Sequence, residues 1–286
     1  MIRFGDFIEM RDIILTGIPR SGTALTCYLL NQLPDTVALV EPMDVGSLCQ
    51  IHDNGNRIAM ITEFFSDQRK SARTTGKVLS KATEDGFIDN TFGRDMDENG
   101  LRKSLAQLRN VKMDKRLADN FQLIIKHPNA FTALLGSLIT RFPCFAIIRN
   151  PLAILASWSS VSIPPHNGHT PIGESLDPML STILSKQQDR YMRQISLLSW
   201  YYEKYSRNLP ETHIIRYEDI VSSSGRCLEV ISPSAAELSQ TLESRNKNAL
   251  YDANLIHKIG TMLLNTEGSF WHFYRQEDIE QLMQNN

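Results

Sequence analysis

The sequence predicts an α/β fold, a P-loop-like three-layer fold in which a central parallel sheet is flanked by helices. Two observations indicate it. Short apolar runs rich in Ile and Val recur along the chain, and each is followed by a polar turn and then by a stretch with helical character. Such runs are typical of strands buried on both faces of a parallel sheet. Strands that alternate with helices place those helices over the sheet.

Five apolar runs are the predicted strands, and three longer stretches between them are predicted helices. The strands are expected at residues 13–16, 36–40, 122–125, 144–148 and 213–215. The helices are expected at residues 23–33, 152–160 and 187–207.

Two further stretches have a different character. Residues 66–115 are rich in Lys, Arg, Asp and Gly, and we expect an irregular segment that contains a helix at 100–109 and covers the sheet edge or a substrate cleft. Residues 161–178 contain four prolines and two glycines and are predicted to form a long loop, which is functional or disordered in a compact domain. No segment resembles a linker, so residues 1–286 are interpreted as one domain.

Composition limits the function. The 286 residues include 30 Lys and Arg against 32 Asp and Glu, a formal net charge of −2, which argues against a general nucleic-acid binder. None of the four cysteines forms a C-x-x-C pair, which argues against a zinc site and fits a reducing compartment. Cys27 and Cys144 lie in apolar surroundings and are predicted core residues.

No apolar run approaches the roughly 20 residues of a membrane span, and the acidic N-terminus does not resemble a secretory signal. We therefore expect a cytoplasmic protein.

The strongest local signal is the turn from Gly17 through Arg20, Ser21, Gly22, Thr23 and Ala24, which follows a predicted strand and opens a predicted helix. Glycines in such a turn let backbone N–H groups face a bound anion, and the helix N-terminus adds partial positive charge. A nucleotide-triphosphatase loop has Lys directly after its last glycine. Here Thr23 holds that place and the cation lies earlier, at Arg20. The turn could also be a plain strand-to-helix connection, but its composition favours anion binding.

Two further segments, downstream of this turn, each follow a predicted strand. Arg149 ends the strand at 144–148, where its guanidinium could bind phosphate through two hydrogen bonds. Asn150 and Pro151 suit the start of the next helix, which carries Ser157 two turns along. The third segment is Tyr217-Glu218-Asp219, after the last predicted strand.

These three segments, in this order, resemble the sulfotransferase family that uses 3′-phosphoadenosine 5′-phosphosulfate. The resemblance spans residues 13–219. It implies that Arg20, Ser21, Gly22, Thr23 and Ala24 bind the 5′-phosphosulfate of the donor. It also implies that Arg149 and Ser157 bind the 3′-phosphate and that Tyr217 contacts adenine.

Three residues are candidates for the transfer chemistry. Glu41 directly follows the strand at 36–40, and its spacing from Arg20 resembles that of the catalytic Glu in tyrosylprotein sulfotransferases, whose loop has the same Pro-Arg-Ser-Gly-Thr form. We expect Glu41 to be the general base. Lys126 and His127 end the strand at 122–125, where cytosolic sulfotransferases carry a Lys and a His. Lys126 is the candidate that stabilises the transferring sulfuryl group, and His127 is the alternative base.

Other interpretations remain open at this stage. A nucleotide-dependent kinase would need a Lys after Gly22 and an Asp for Mg²⁺, and a non-catalytic module would bind the nucleotide without transfer. His166 and His169 have a spacing that suits a metal, but no ligand set completes it, so we expect no metal. The expected acceptor is a small-molecule, lipid or carbohydrate hydroxyl rather than a protein tyrosine. The residues do not specify the oligomeric state.

Overall fold

The computed structural model describes residues 11–248 and 250–284, and its centre is a sheet of five parallel strands. The strands of the protein in chain order are β1 (Asp12–Gly17), β2 (Thr36–Val40), β3 (Lys77–Ala82), β4 (Phe92–Met96), β5 (Arg102–Ser104), β6 (Gln107–Lys112), β7 (Gln122–Lys126), β8 (Cys144–Ile148) and β9 (Ile214–Arg216). The parallel sheet has the order β2-β7-β1-β8-β9. These five are the predicted strands, and β2 and β8 have the predicted bounds.

Helices cover both faces of this sheet. They are α1 (Thr23–Leu30), α2 (Val45–Gln50), α3 (Asn54–Thr75), α4 (Pro128–Ala133), α5 (Leu135–Leu138), α6 (Pro151–Trp158), α7 (Pro171–Leu176), α8 (Pro178–Ser185), α9 (Arg190–Asn208), α10 (Tyr217–Ser222), α11 (Ala253–Leu264) and α12 (Gln276–Gln284). The three predicted helices are α1, α6 and α9; α1 begins at the predicted residue, and the other helix ends differ from the prediction by one to three residues. Asn150 accepts hydrogen bonds from two first-turn N–H groups of α6, as its capping role predicts.

Alternating side chains of the strands build two separate cores. Ile14 of β1 packs in the larger core with α3, α4, α6 and α9. Its neighbours Ile13 and Leu15 pack in the smaller core with α1 and α10. Because side chains alternate across a strand, each strand contributes to both cores. The α/β prediction of a parallel sheet between two helical layers is confirmed.

The prediction of a helix at residues 100–109 is wrong. The segment contains β5 and the start of β6, which belong to two antiparallel pairs, β4 with β5 and β3 with β6. Side chains along β6 are mostly exposed, so the segment lacks the apolar alternation that marks a half-buried strand. The interpretation of residues 66–115 as a cover for the sheet edge holds, because Ser80 of β3 accepts a hydrogen bond from Val40 N at the edge strand β2.

The predicted loop at residues 161–178 contains more regular structure than expected. Residues Pro164–Asn167 form a 3₁₀ turn, and Pro171 and Pro178 begin α7 and α8. Proline suits the first position of a helix, where its missing N–H has no partner to lose. The prolines that suggested a loop therefore mark helix starts.

Cys27 and Cys144 are buried core residues, as predicted. Within residues 11–248 and 250–284, no helix combines the length and the apolar character needed to span a bilayer.

Candidate functional site

The carboxyl edge of the parallel sheet gathers the predicted site residues. Arg20 lies in the turn after β1, Glu41 directly follows β2, and Lys126 ends β7. Arg149 directly follows β8, and Tyr217 directly follows β9. Ligands of open α/β sheets bind at this edge. The topology thus brings residues from five strands to one side of the molecule.

The turn between β1 and α1 requires both of its glycines. Gly17 and Gly22 have φ values of 152° and 96°. A Cβ on Gly17 would lie 2.6 Å from the Ile147 carbonyl oxygen, and one on Gly22 would lie 2.7 Å from Cδ2 of Tyr217. The buried Ser21 hydroxyl donates to the same Ile147 oxygen at 2.7 Å. Ser21 therefore ties the turn to β8, and its side chain does not face outward.

The N-terminus of α1 presents unused backbone donors. Gly22 occupies the N-cap position without a side-chain cap. In the described part of the chain, the N–H groups of Gly22, Thr23, Ala24 and Leu25 donate to no other group. Together with the helix dipole, such N–H groups form an anion-binding site. Thr23 and Ala24 thus offer main-chain donors at the predicted place.

Arg20 contacts Ser157 directly. Its Nε donates to Ser157 Oγ at 3.1 Å, and its Nη1 donates to Asn90 Oδ1 at 3.1 Å. The guanidinium also lies over the Phe92 ring, 4.8 Å from the centroid. Two residues that are far apart in sequence, and that the resemblance assigned to two different phosphates, are therefore joined in one network.

Arg20 belongs to a group of four arginines, which we call the arginine cluster: Arg20, Arg102, Arg149 and Arg245. The pKa of Arg20 is lowered to about 10, first by burial and then by the positive charges of the other three. Arg102 is buried against Ser160, donating to its hydroxyl at 2.9 Å. A cavity of about 140 Å³ lies beside Arg102, Ser160 and Tyr251. Several positive charges in one region raise the local electrostatic potential and attract anions.

Arg149 and Tyr217 support each other. The Arg149 guanidinium lies 4.7 Å from the centroid of the Tyr217 ring, and it donates to Asn246 Oδ1 at 2.7 Å, to Arg20 O at 2.9 Å and to Arg245 O. The Tyr217 hydroxyl accepts from Arg245 N at 2.9 Å. Tyr217 is 4% exposed, and its ring packs against the Arg149 guanidinium.

Glu41 lies between two lysines. Its Oε1 accepts from Lys126 Nζ at 2.7 Å, and its Oε2 accepts from Lys81 Nζ at 2.6 Å. Burial raises the pKa of Glu41, but the charges of Lys126 and Lys81 outweigh burial and hold it well below its usual range. Glu41 is thus a fixed carboxylate that stays ionised at neutral pH.

His127 is buried and hydrogen-bonded to the main chain. Its Nε2 accepts a hydrogen bond from Met43 N at 3.1 Å, so the ring proton lies on Nδ1. Burial lowers the pKa of His127 to about 3, which keeps the ring neutral. Both candidate bases, Glu41 and His127, thus have acceptor atoms that already hold proton donors.

The predicted residues therefore form two groups. Arg20, Ser157, Arg149 and Tyr217 are connected by direct contacts, and Glu41 forms the second group with Lys126. The sequence analysis missed several members: Lys81, Asn90, Arg102, Arg245 and Asn246. Lys81 and Arg102 lie on β3 and β5, Asn90 lies in the connection before β4, and Arg245 and Asn246 lie in a late loop. No sequence motif marks these positions.

The two histidines with metal-like spacing have separate partners. His166 contacts Trp158 O and Arg190, while His169 contacts Glu174. Among residues 11–248 and 250–284, no group of three or more His, Cys, Asp or Glu side chains could hold a metal ion.

No family model and no curated protein sequence gives a significant match to the chain. Among solved structures, the chain is similar to the sulfotransferase STF1 from Mycobacterium tuberculosis H37Rv, with 12% identity and a TM-score of 0.33. The match covers 92% of this chain and 78% of that one.

Proposed function

We propose that this protein is a sulfotransferase, which transfers a sulfuryl group from 3′-phosphoadenosine 5′-phosphosulfate to an acceptor hydroxyl. The observation that carries the proposal is the arginine cluster beside the uncapped N-terminus of α1. Among the described residues, the four guanidinium groups have one ion-pair partner, Asp89, which lies 3.4 Å from Arg245. Partly buried charges without counterions are costly, so this region is stabilised by a multivalent anion.

A nucleotide with anionic groups at both its 5′ and 3′ positions fits these two features. The N–H groups of Gly22, Thr23 and Ala24 would hold the 5′-phosphosulfate, with Arg20 at its side. Arg149 and Ser157 would hold the 3′-phosphate, and Arg102 and Arg245 would add charge there. Charged hydrogen bonds of this kind contribute about 1.5–3 kcal/mol each. Tyr217 would support the Arg149 guanidinium and contact the adenine.

The second group of residues suits the transfer itself. The acceptor oxygen forms a bond to sulfur while the bond between sulfur and the phosphate oxygen breaks. The acceptor proton passes to Glu41, and the positive charge of Lys126 stabilises the negative oxygens of the sulfuryl group. Glu41 must first release one of its two lysine partners, because both of its oxygens accept hydrogen bonds in the free protein.

We propose a hydroxyl of a small molecule, lipid or carbohydrate as the acceptor. The proposal involves no metal, because the donor lacks the β,γ-phosphate pair that Mg²⁺ bridges in kinase substrates.

The decisive experiment is sulfate transfer from radiolabelled donor to a mixture of phenols, alcohols, saccharides and tyrosine peptides, with EDTA present. We expect labelled product, and fractionation of the mixture identifies the acceptor class. Transfer of phosphate from ATP, with an absolute need for Mg²⁺, would instead establish a kinase. Tight binding of the nucleotide without transfer to any acceptor would establish a non-catalytic module.

A further inference from the structure

Lys81 contacts the proposed base although it lies outside the parallel sheet. It belongs to β3, which pairs only with β6. Its Nζ is 2.6 Å from Glu41 Oε2, while Lys126 Nζ is 2.7 Å from Glu41 Oε1. Each oxygen of the Glu41 carboxylate thus has its own lysine, and one of the two, Lys81, comes from a strand outside the parallel sheet.

The contact is built by the way β3 docks. The N–H of Val40, the last residue of β2, donates to the buried Ser80 Oγ at 3.0 Å. The N–H of Leu79 donates to Gln68 Oε1 of α3 at 2.7 Å. Residues 80 and 81 of β3 therefore meet residues 40 and 41, and Lys81 has a fixed path to the Glu41 carboxylate.

The two lysines differ in exposure. The Lys81 side chain is 41% exposed and the Lys126 side chain is 5% exposed. A buried ammonium that loses its partner is strongly destabilised, whereas a half-exposed one can turn to water at little cost. An incoming hydroxyl can therefore displace Lys81 from Glu41 far more easily than Lys126.

We propose that Lys81 is a positioning residue, which holds Glu41 ionised and oriented until the acceptor hydroxyl replaces it at Oε2, while Lys126 keeps Oε1. This inference rests on the proposed transfer function. The acceptor then gives its proton to Oε2, the oxygen that Lys81 has left.

The charge balance around Glu41 gives the inference a measurable consequence. Burial raises the pKa of this carboxyl, and the nearby cations lower it. The titratable groups that act with Glu41 come from five places: Lys81 of β3, Lys126 of β7, His127 before α4, Cys27 of α1 and Tyr201 of α9. Cys27 and Tyr201 are buried groups whose raised pKa values keep them neutral, so the two lysines supply the main stabilising charge. Removal of Lys81 leaves burial opposed chiefly by Lys126, and the pKa of Glu41 must rise.

The test compares Lys81→Met, Lys81→Arg and Lys77→Met with the wild type. Lys77 lies on the same strand and is exposed, and its ammonium has no partner among the described residues, so Lys77→Met is a matched control.

Two quantities are measured for each variant. The first is the pH dependence of kcat/KM for transfer. The second is the titration of the Glu41 carboxyl, followed by NMR on protein with labelled glutamate, its signal assigned with Glu41→Gln. Activity requires the carboxylate and falls as pH drops through its pKa. We expect Lys81→Met to move this acid limb and the NMR titration upward by about one pH unit or more. Lys81→Arg and Lys77→Met should remain close to the wild type.

Two results would overturn the inference. One is an unchanged Glu41 titration in Lys81→Met. The other is a shifted titration with the rate profile of the wild type, because Lys81 would then set a charge that the reaction does not use. Failure of the proposed function is read separately, from a wild-type protein that binds the nucleotide and transfers nothing. In that case the NMR titration still decides whether Lys81 holds the carboxylate.

Discussion

Arg20 and Glu41, two of the proposed site residues, hold a left-handed backbone that residues with a Cβ rarely adopt. Their φ values are 75° and 47°. Such conformations cost about 1–3 kcal/mol each and persist only where surrounding contacts fix them. Arg20 is held by Ser157 and Asn90, and the Glu41 N–H donates to Lys126 O at 2.8 Å. Both side chains are therefore oriented before any ligand binds, as catalysis by fixed charge requires.

Arg20 should act by fixed charge and directed hydrogen bonds. Its guanidinium does not lose its proton at neutral pH, since its pKa is about 10 even in the cluster. Removal of a donor that stabilises developing charge costs about 2.7–4 kcal/mol. We expect Arg20→Ala to lower the single-turnover rate at saturating donor by at least about a hundredfold. Arg20→Lys should restore part of the rate, because lysine keeps the charge but loses the planar group that reaches Ser157 and Asn90 together. A near-normal rate for the alanine variant would remove Arg20 from the site.

Glu41 and His127 can be separated by substitution. Glu41→Gln keeps the size of the side chain but removes its basic charge, and we expect a loss of about 10²–10⁴-fold in rate. His127→Ala should chiefly lower the free energy of unfolding, because it leaves the buried Met43 N–H without an acceptor. Transfer rates and urea unfolding of both variants check this. Full activity of Glu41→Gln together with an inactive, stably folded His127→Ala would reverse the assignment.

For single residues, the sequence predicts roles that depend on local backbone geometry better than it predicts long-range contacts. Gly17, Gly22 and Asn150 could be placed because local backbone geometry requires them. The hydrogen bond between Arg20 and Ser157 joins residues 137 positions apart, and Lys81 reaches Glu41 only because β3 docks on β2. No local pattern encodes such contacts, since they depend on how the elements pack.

A strand could be predicted from the sequence where both of its faces are buried. The strands of the parallel sheet are apolar throughout, and their runs of Ile, Val and Leu mark them clearly. The β3–β6 pair and the β4–β5 pair carry charges and exposed side chains, so their strands resemble a polar loop or helix. These accessory strands nevertheless supply Lys81 and Arg102. The strands that the sequence predicts thus form the parallel sheet, and the strands that it does not predict add Lys81 and Arg102 to the proposed site.

The turn that opens α1 should tolerate no side chain at Gly22. Gly22→Ala would combine a positive φ with a contact 2.7 Å from the Tyr217 ring. Gly76 provides a control, because it also has a positive φ, 65°, but a Cβ there would meet no atom within 4 Å. We expect Gly76→Ala to lower the free energy of unfolding by about 1 kcal/mol and to leave nucleotide affinity unchanged. Gly22→Ala should cost about 1–3 kcal/mol more, from overpacking, and should weaken adenosine 3′,5′-bisphosphate binding. Urea unfolding and calorimetry measure both effects. Equal behaviour of the two variants would mean that the turn does not shape the nucleotide site.

Across the whole molecule, charge is nearly balanced but unevenly placed. The net charge of −2 predicts no attraction to polyanions, yet the fold places three further arginines near Arg20. The four come from the turn after β1, from β5, from the end of β8 and from a late loop. Only tertiary packing brings them together, so composition alone could not reveal the cluster. The repulsion within the cluster destabilises the free protein, and an anion bound there would remove it.

Ligand binding should therefore raise the melting temperature, and the rise should depend on the number of phosphates. A ligand at a hundred times its Kd stabilises a folded protein by about 2.7 kcal/mol. For a large domain this corresponds to a Tm rise of roughly 5–10 °C. We expect adenosine 3′,5′-bisphosphate to give this rise. AMP lacks the 3′-phosphate and the roughly 1.5–3 kcal/mol of its charged hydrogen bonds, so at the same concentration it should stabilise by about 1.4 kcal/mol or less.

Variants at the 3′ side make this comparison specific. Ser157→Ala and Arg149→Met should reduce the difference in Tm between the two nucleotides, because each removes a group expected to bind the 3′-phosphate. Arg275→Met is a suitable control, since Arg275 is exposed and lies outside the arginine cluster. Differential scanning calorimetry over a range of nucleotide concentrations gives the shifts for all four proteins. If AMP and the bisphosphate raise the Tm of the wild type equally, the cluster does not recognise a second phosphate, and a donor with a single anionic end must be sought.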